Sequence, residues 1–144
     1  MSIANILFVD DETAFLDAMK KRLEKREFSV QTANSGMEAL DYLEEAHNKV
    51  EVVILDVKMP GMDGIETLAA IKRKFPMVEV IMLTGHATVG SAIEGMKRGA
   101  FDYLMKPADI DHFTSKILEA AEKRRQQEQK IVEARMKAIT SRHA

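Results

Sequence analysis

The chain has 144 residues, 46% of them hydrophobic, which is enough for one folded domain around a single core. Its formal net charge of -2 at neutral pH gives no overall bias toward nucleic acid or any other charged partner. The absence of cysteine excludes disulfides, thiolate catalysis and thiolate-bound metals.

The chain has no candidate for a membrane span. Its longest purely apolar runs, such as residues 52–55 and 80–83, have four residues, whereas a transmembrane helix needs about 20. Residues 1–5 lack the basic start and the long apolar region of a signal peptide. We therefore expect a soluble, cytoplasmic protein with no membrane partner and no direct binding of nucleic acid.

Five short apolar runs, most of them rich in β-branched residues, alternate with helical patterns. We predict strands over residues 6–9, 28–32, 52–56, 80–84 and 102–105. Three of these runs lack polar alternation, which is typical of parallel strands covered on both faces.

Between the strands, apolar residues recur at helical spacing, and the same pattern begins again after Pro107. Ser35 and Glu38 form a capping-box signature for the second helix. The order of elements predicts an α/β fold with a five-stranded, parallel, doubly wound sheet and right-handed crossovers. Such sheets place their binding crevice at the carboxyl ends of the strands.

The tail after Ala121 has no glycine, proline or strand pattern, and residues 122–130 include no apolar side chain. We predict a solvated helical extension. It can be a frayed terminal helix. It can also be a pairing or linker helix, because Ile131, Val132, Met136 and Ile139 form a weak apolar stripe.

Polar residues stand where the predicted strands end. Asp10 and Asp11 follow the first strand, Asp56 ends the third, Thr84 ends the fourth, and Lys106 follows the fifth. We expect these residues to meet in one crevice. A single Asp near a Lys is usually a salt bridge, but five polar residues from four strand ends indicate a functional site.

The three carboxylates favour a hard divalent cation. The chain has no thiol and its four histidines are scattered, so oxygen ligands suit Mg²⁺ better than Zn²⁺. A carboxylate beside Mg²⁺ can attack phosphorus while an ammonium neutralises charge and a hydroxyl binds a phosphoryl oxygen. Asp56 is the best candidate nucleophile because it stands alone on its strand, and Asp10 and Asp11 are candidate cation ligands.

Four segments resemble the receiver domain of two-component response regulators. They are FVDDE, ILDVKMPGMDGIE around Asp56, IMLTGHA with Thr84, and GAFDYLMKP with Tyr103, Lys106 and Pro107. They lie in order and at the family's spacing from Ile3 to about Ala121. The resemblance implies a flavodoxin-like receiver fold over residues 1–121, with residues 122–144 as a helical extension or linker.

The resemblance also implies a chemistry. It implies that Asp56 accepts a phosphoryl group from the phosphohistidine of a sensor histidine kinase, and that Thr84 and Lys106 contact this group. It implies that Mg²⁺ is held by Asp10, Asp11, Asp56 and the backbone carbonyl of Lys58. A receiver of this kind is not otherwise an enzyme, since it only phosphorylates itself from a donor and dephosphorylates itself.

The resemblance further implies a surface switch. In the family, the residue at Thr84 moves toward the phosphoryl group while the aromatic residue at Tyr103 turns inward. This remodels the face formed by the fourth helix and the fifth strand. We expect a homodimer through the fourth helix, fifth strand and fifth helix, strengthened by phosphorylation, with Met96, Lys97, Arg98, Asp102 and Tyr103 on or near that face.

The output of the switch would be a downstream effector domain or protein. The segment GHATVGSAIEGMKRGAFDYLMKP looks closest to receivers of ATPase-type transcription activators, in which a linker helix follows the fifth helix. The sequence leaves open whether the chain is a stand-alone regulator or a truncated multidomain one.

Residues beside these positions have weaker signals. Gly61 and Gly64 are typical of a tight turn that curls the loop over the site. Lys58 and His86 occupy positions that tune phosphoryl lifetime in the family, although an exposed loop histidine explains His86 equally well. Tyr103 can also be a core residue whose hydroxyl lies at the edge.

Two other classes of function stay open. A Mg²⁺-dependent phosphatase would use Asp56 as its nucleophile, but the chain has no cap insertion and no DxD after the first strand. A pseudo-receiver would bind partners without phosphorylation, but all five polar residues are present. We therefore predict a receiver domain that switches its surface when phosphorylated.

Overall fold

The computed structural model describes residues 2–57, 59, 61–85, 89–106 and 109–142, and within these ranges five strands alternate with five helices. The strands are β1 (Asn5–Val9), β2 (Ser29–Ala33), β3 (Val52–Leu55), β4 (Glu79–Thr84) and β5 (Asp102–Met105). The helices are α1 (Thr13–Lys25), α2 (Gly36–Ala46), α3 (Gly64–Lys74), α4 (Val89–Lys97) and α5 (Ile110–Arg142).

The strands form one sheet in the order β2-β1-β3-β4-β5, and every neighbouring pair is parallel. The predicted α/β fold with a five-stranded parallel sheet is thereby confirmed. Its carboxyl edge collects the residues that follow β1, β3 and β5 and the last residue of β4, as the sequence predicts.

Hydrophobic clusters cover both faces of the sheet. Ile6 and Phe8 of β1 belong to a cluster that includes α1 and α5 residues, whereas Leu7 and Val9 belong to a cluster with α2 and α3 residues. Alternate side chains of a strand point to opposite faces, so a central strand buried on both faces must be apolar throughout. This explains the continuous apolar runs.

Element boundaries differ from the predictions by one residue in places. The second strand begins at Ser29 rather than at Phe28, because the Phe28 amide donates to the Leu23 carbonyl (3.1 Å) at the end of α1. The predicted capping residue of α2 is confirmed, since the Ser35 hydroxyl accepts from the Glu38 amide (3.1 Å).

The predicted helical tail is confirmed, because α5 continues as one helix of 33 residues to Arg142. It passes through the predicted division between residues 121 and 122, which itself stays a prediction. No helix in the described ranges combines the length and the apolar character that a membrane crossing requires.

Candidate functional site

The pairing of β1 with β3 places two aspartates side by side. Val9 lies opposite Leu55, and the next residue in each strand is an aspartate. The Asp56 amide donates to the Val9 carbonyl (3.1 Å), which continues the ladder by one bond. Asp10 and Asp56 are buried, with 0% and 3% of their surface exposed. Buried carboxylates resist desolvation, so this edge of the sheet favours a bound cation.

Asp11 completes a cluster of three carboxylates. One oxygen from each of Asp10, Asp11 and Asp56 lies within 4.8 Å of the others, and Asp11 is exposed to solvent. The cluster consists of hard oxygen donors without nitrogen or sulfur, which fits the preference of Mg²⁺. The structure thus brings the three predicted ligands together, while their binding of a metal stays a prediction.

Lys106 connects this cluster to the end of β5. Its Nζ donates to Asp10 Oδ2 (2.6 Å) and lies 3.6 Å from Asp56 Oδ2. Burial alone lowers the pKa of Lys106, but the hydrogen bond to Asp10 and the charges of Asp10, Asp56 and Glu12 outweigh burial and raise that pKa above its ordinary value. Lys106 is therefore a cation at neutral pH.

Among the described residues, Glu12 and Phe15 also contact the Lys106 ammonium, and neither was predicted from the sequence to belong to the site. Glu12 Oε1 accepts from Lys106 Nζ (3.4 Å), and the Glu12 amide donates to Asp10 Oδ1 (3.0 Å). The Lys106 ammonium also lies 4.1 Å from the centre of the Phe15 ring. The position of Glu12 directly after the acidic pair was a signal for the first contact.

Thr84 lies beside Lys106 at the end of β4. The Lys106 amide donates to the Thr84 carbonyl (2.9 Å), and Thr84 pairs with Met105 in the sheet. The Thr84 side chain is fully buried. This places a hydroxyl at the same edge as the carboxylates, as the sequence predicts.

Tyr103 lies further from the edge and faces α4. It pairs with Met82, its hydroxyl is hydrogen-bonded to the Ser91 hydroxyl (2.9 Å), and its half-buried ring packs against the cluster beneath α2 and α3. The ring also lies close to Gly95, where an added Cβ would be 3.6 Å from Tyr103 Cδ2. Tyr103 therefore connects β5 to α4 through both its ring and its hydroxyl.

The backbone requires glycine at two positions, one shortly before α3 and one at its first residue, whereas the curling of the loop over the site stays a prediction. Gly61 has a φ of +77°, which favours glycine. A Cβ at Gly64 would lie 2.0 Å from the Asp56 carbonyl oxygen, so only glycine permits this close approach. The loop then enters α3, where the Asp63 side chain accepts from the Glu66 amide (2.8 Å).

Three residues with predicted places at or near the site, Lys58, His86 and Pro107, lie outside the described residues. The predicted metal-binding carbonyl of Lys58 and the alternatives for His86 therefore stay predictions.

The chain is similar to known proteins of one family. The chain matches the response regulator receiver domain family over residues 6–118, a range that includes all of the site residues described above. It is 36% identical over 129 residues to the transcriptional regulatory protein ZraR of Klebsiella oxytoca, covering 90% of this chain and 29% of that protein. It is also 36% identical over 121 residues to the DNA-binding transcriptional regulator NtrC of Klebsiella pneumoniae, covering 84% of this chain and 25% of that protein. The chain thus spans less than a third of the length of these relatives.

Solved structures show the same fold. A receiver domain protein from Clostridium thermocellum superposes with a TM-score of 0.82 at 40% identity, covering 86% of this chain and 98% of that one. A chain of the CheX-CheY-BeF3-Mg²⁺ complex from Borrelia burgdorferi superposes with a TM-score of 0.76 at 26% identity, covering 81% of this chain and 87% of that one.

Proposed function

The chain belongs to the response regulator receiver domain family, and from that premise we propose that Asp56 is its phosphoacceptor. The observation that carries the proposal is the grouping of Asp56 with Asp10 and Asp11 within 4.8 Å, while Lys106 Nζ lies 3.6 Å from Asp56 Oδ2. A carboxylate nucleophile for phosphoryl transfer needs positive charge on both sides of the incoming phosphoryl group. A cation held by the acidic cluster would supply that charge together with the Lys106 ammonium.

The donor is the phosphohistidine of a sensor histidine kinase. An Asp56 carboxylate oxygen attacks phosphorus while the bond between phosphorus and the imidazole nitrogen breaks, and the imidazole leaves with the bonding electrons. Asp11 marks the exposed side of the cluster, through which the donor reaches the otherwise buried Asp56. Beyond this reaction and hydrolysis of its own acyl phosphate, the domain turns over no substrate.

Mg²⁺ would be held by the carboxylates of Asp10, Asp11 and Asp56 and, on the resemblance alone, by the Lys58 backbone carbonyl. When bound, the ion neutralises charge on the phosphoryl oxygens. The hard oxygen donors of the cluster support this choice, as does the Mg²⁺ named with the structurally similar CheY complex.

Lys106 and Thr84 bind the phosphoryl group once it is on Asp56. The Lys106 ammonium exchanges its hydrogen bond with Asp10 for one with a phosphoryl oxygen, which the 3.6 Å separation from Asp56 makes a short movement. The Thr84 hydroxyl donates to a second phosphoryl oxygen from the end of β4.

The signal leaves the site through Thr84, Tyr103 and α4. Movement of Thr84 toward the phosphoryl group changes the space available to the Tyr103 ring, which packs near Gly95 and bonds to Ser91 on α4. The position of α4 therefore depends on phosphorylation, and two arrangements of this region form the switch.

The partners are a histidine kinase and a downstream effector domain or protein. The named relatives are transcriptional regulators that are much longer than this chain, which supports a receiver whose output lies outside it. Phosphorylation also strengthens a homodimer through α4, β5 and α5. Exposed apolar side chains on this face support the dimer: they are Ile93 and Met96 of α4, Met105 of β5 and Leu118 of α5.

Intact-mass measurement tests the proposed function. The wild type incubated with phosphoramidate and Mg²⁺ should gain one phosphoryl group, whereas Asp56→Asn and a metal-free sample should gain none. Equal labelling of Asp56→Asn would contradict the assignment of Asp56, and labelling without metal would contradict the role of the acidic cluster.

A further inference from the structure

The side chain of Phe15 lies beneath the reactive lysine of the site. The Lys106 ammonium is 4.1 Å from the centre of the Phe15 ring, well inside the range of a cation–π contact. Phe15 belongs to the first turn of α1 and is half-buried against the cluster that α1 and α5 cover. Helical periodicity alone indicates only that Phe15 is a core residue. The contact with Lys106 also connects it to the site.

The ring of Phe15 is held in place from below. Its edge-to-face contact with Phe8 has a centroid distance of 5.9 Å and an interplanar angle of 73°. Phe8 is buried and makes a similar contact with Phe113 of α5 at 6.2 Å. Three aromatic rings therefore connect the core to the ammonium, and the uppermost ring has little freedom to turn away.

Among the described residues, the ion-pair partners of the Lys106 ammonium differ in kind from the ring, because they are carboxylates. Asp10 and Asp56 belong to the acidic cluster, so a cation bound there would compete with Lys106 for the same two carboxylates. Glu12 is 3.4 Å away with a side chain that is 65% exposed, so solvent weakens that pair. The Phe15 ring is neutral and binds no metal, so its attraction for the ammonium persists when the cluster is occupied.

We propose that Phe15 is a positioning residue for phosphoryl transfer, which keeps the Lys106 ammonium beside Asp56 when a bound cation occupies the acidic cluster. This inference rests on the proposed function of Asp56. A lysine side chain has four flexible carbons, and it loses less freedom on binding a phosphoryl oxygen if the ring already confines it.

Two measurements on the same variants test this inference. The first is the chemical shift of the Lys106 ε-methylene protons without Mg²⁺ and with saturating Mg²⁺, assigned by the loss of that signal in Lys106→Met. A ring beneath the ammonium moves these protons upfield, so Phe15→Leu should return them to ordinary lysine positions while Phe15→Tyr keeps the shift. The second is the rate of phosphorylation by phosphoramidate with Mg²⁺, which should fall roughly threefold to tenfold in Phe15→Leu and recover in Phe15→Tyr.

Phe101→Leu is the matched control. Phe101 is also a half-buried phenylalanine at the same cluster, with the Lys123 ammonium 5.8 Å from its ring, but it lies at the opposite end of β5 from Lys106. Its replacement should leave the phosphorylation rate and the Lys106 shift unchanged. Thermal unfolding of every variant confirms that the rates refer to folded protein.

The inference would be overturned by ordinary chemical shifts of the Lys106 ε-methylene protons in the wild type, or by a phosphorylation rate of Phe15→Leu equal to that of the wild type. Either result would leave the proposed function intact. Failure of Phe15→Tyr to recover the rate would overturn the inference in the same way. If the wild type accepts no phosphoryl group, the proposed function fails, and the inference fails with it.

Discussion

At the scale of single residues, the charge balance around Lys106 determines how the site responds to metal. Lys106 neutralises part of the negative charge of Asp10 and Asp56, which are both buried. Removal of the ammonium leaves these carboxylates to repel each other, and a divalent cation can then take its place.

We therefore expect Lys106→Met to be destabilised by about 1–3 kcal/mol in EDTA, because it breaks a pair between a partly exposed cation and buried anions. Saturating Mg²⁺ should raise the unfolding free energy of this variant more than that of the wild type. Urea unfolding with and without Mg²⁺ measures both quantities. Equal stabilisation of the two proteins by Mg²⁺ would contradict the shared use of Asp10 by the lysine and the metal.

Because the pKa of Lys106 is raised, the stability that this side chain contributes to the fold depends on pH. Asp10, Asp56 and Glu12 outweigh burial and raise the pKa, so the stabilisation is complete below the ordinary lysine pKa of about 10.4 and is lost as the pH rises through the higher, folded-state value. The difference in stability between the wild type and Lys106→Met in EDTA should thus stay constant near neutrality and shrink only at strongly alkaline pH.

The sequence was sufficient to predict the residues at the strand ends, because a parallel sheet brings Asp10, Asp56, Thr84 and Lys106 to one edge whatever the details of packing. It was not sufficient for Phe15. Helical periodicity places that residue on the apolar face of α1, but the rotamer of a lysine from another strand decides whether an ammonium lies over the ring.

At the scale of secondary-structure elements, the first turns of the α5 extension are attached to the amino edge of the sheet. Arg124 is 5% exposed, and its guanidinium donates to the Val50 carbonyl and pairs with Glu128. Arg125 donates to Glu51 (2.7 Å) and to the Ile3 carbonyl (2.8 Å). These contacts attach this part of α5 to the residues that precede β1 and β3.

Arg124→Met keeps much of the apolar stem but removes the donor to the buried Val50 carbonyl. We expect it to lower the unfolding free energy by about 1–3 kcal/mol, the cost of leaving a buried acceptor unpaired. Lys130→Met, an exposed change on the same helix, should alter stability by no more than about 0.5 kcal/mol. Denaturant unfolding compares the two, and an equally small effect of both would show that α5 is not anchored at Arg124.

The lack of apolar residues from 122 to 130 correctly predicted a polar helix. It did not indicate that Arg124 and Arg125 attach this helix to the sheet. Arginines can pack their stems and donate to backbone carbonyls, so a polar run is compatible with a docked helix. Hydrogen bonding also explains why β2 begins one residue later than predicted. Phe28 is apolar, but its amide donates to the Leu23 carbonyl of α1. Composition does not show where such hydrogen bonds go.

At the scale of the whole molecule, the architecture was predictable because the apolar runs, the helical periodicity and the glycine positions all indicate the same fold. The runs of β1 and β3 need cover on both faces, the amphipathic helices supply it, and the glycines stand where the loop requires them. The assembly of the molecule depends instead on surface shape, for which a single sequence has only a weak signal.

The exposed apolar face of α4, β5 and α5 leads to a prediction about this assembly. Met96→Glu should weaken the dimer formed with beryllofluoride and Mg²⁺ by roughly tenfold or more, because a charge would be buried in an apolar contact. Met37→Glu is the matched control, since Met37 is a similarly exposed methionine on α2. Sedimentation velocity measures the association, and a wild type that stays monomeric with the phosphoryl mimic would contradict the proposed dimer.

The most direct test of the central claim is chemical trapping of the phosphorylated residue. Borohydride reduces an acyl phosphate of aspartate to homoserine, so peptide mass mapping after reaction with phosphoramidate, Mg²⁺ and borohydride identifies the acceptor. We predict that the conversion occurs at Asp56 and requires Mg²⁺, and that Asp10 and Asp11 remain unchanged. Trapping at another residue, or no trapping at Asp56 in protein that has gained a phosphoryl group, would contradict the assignment of Asp56 as the phosphoacceptor.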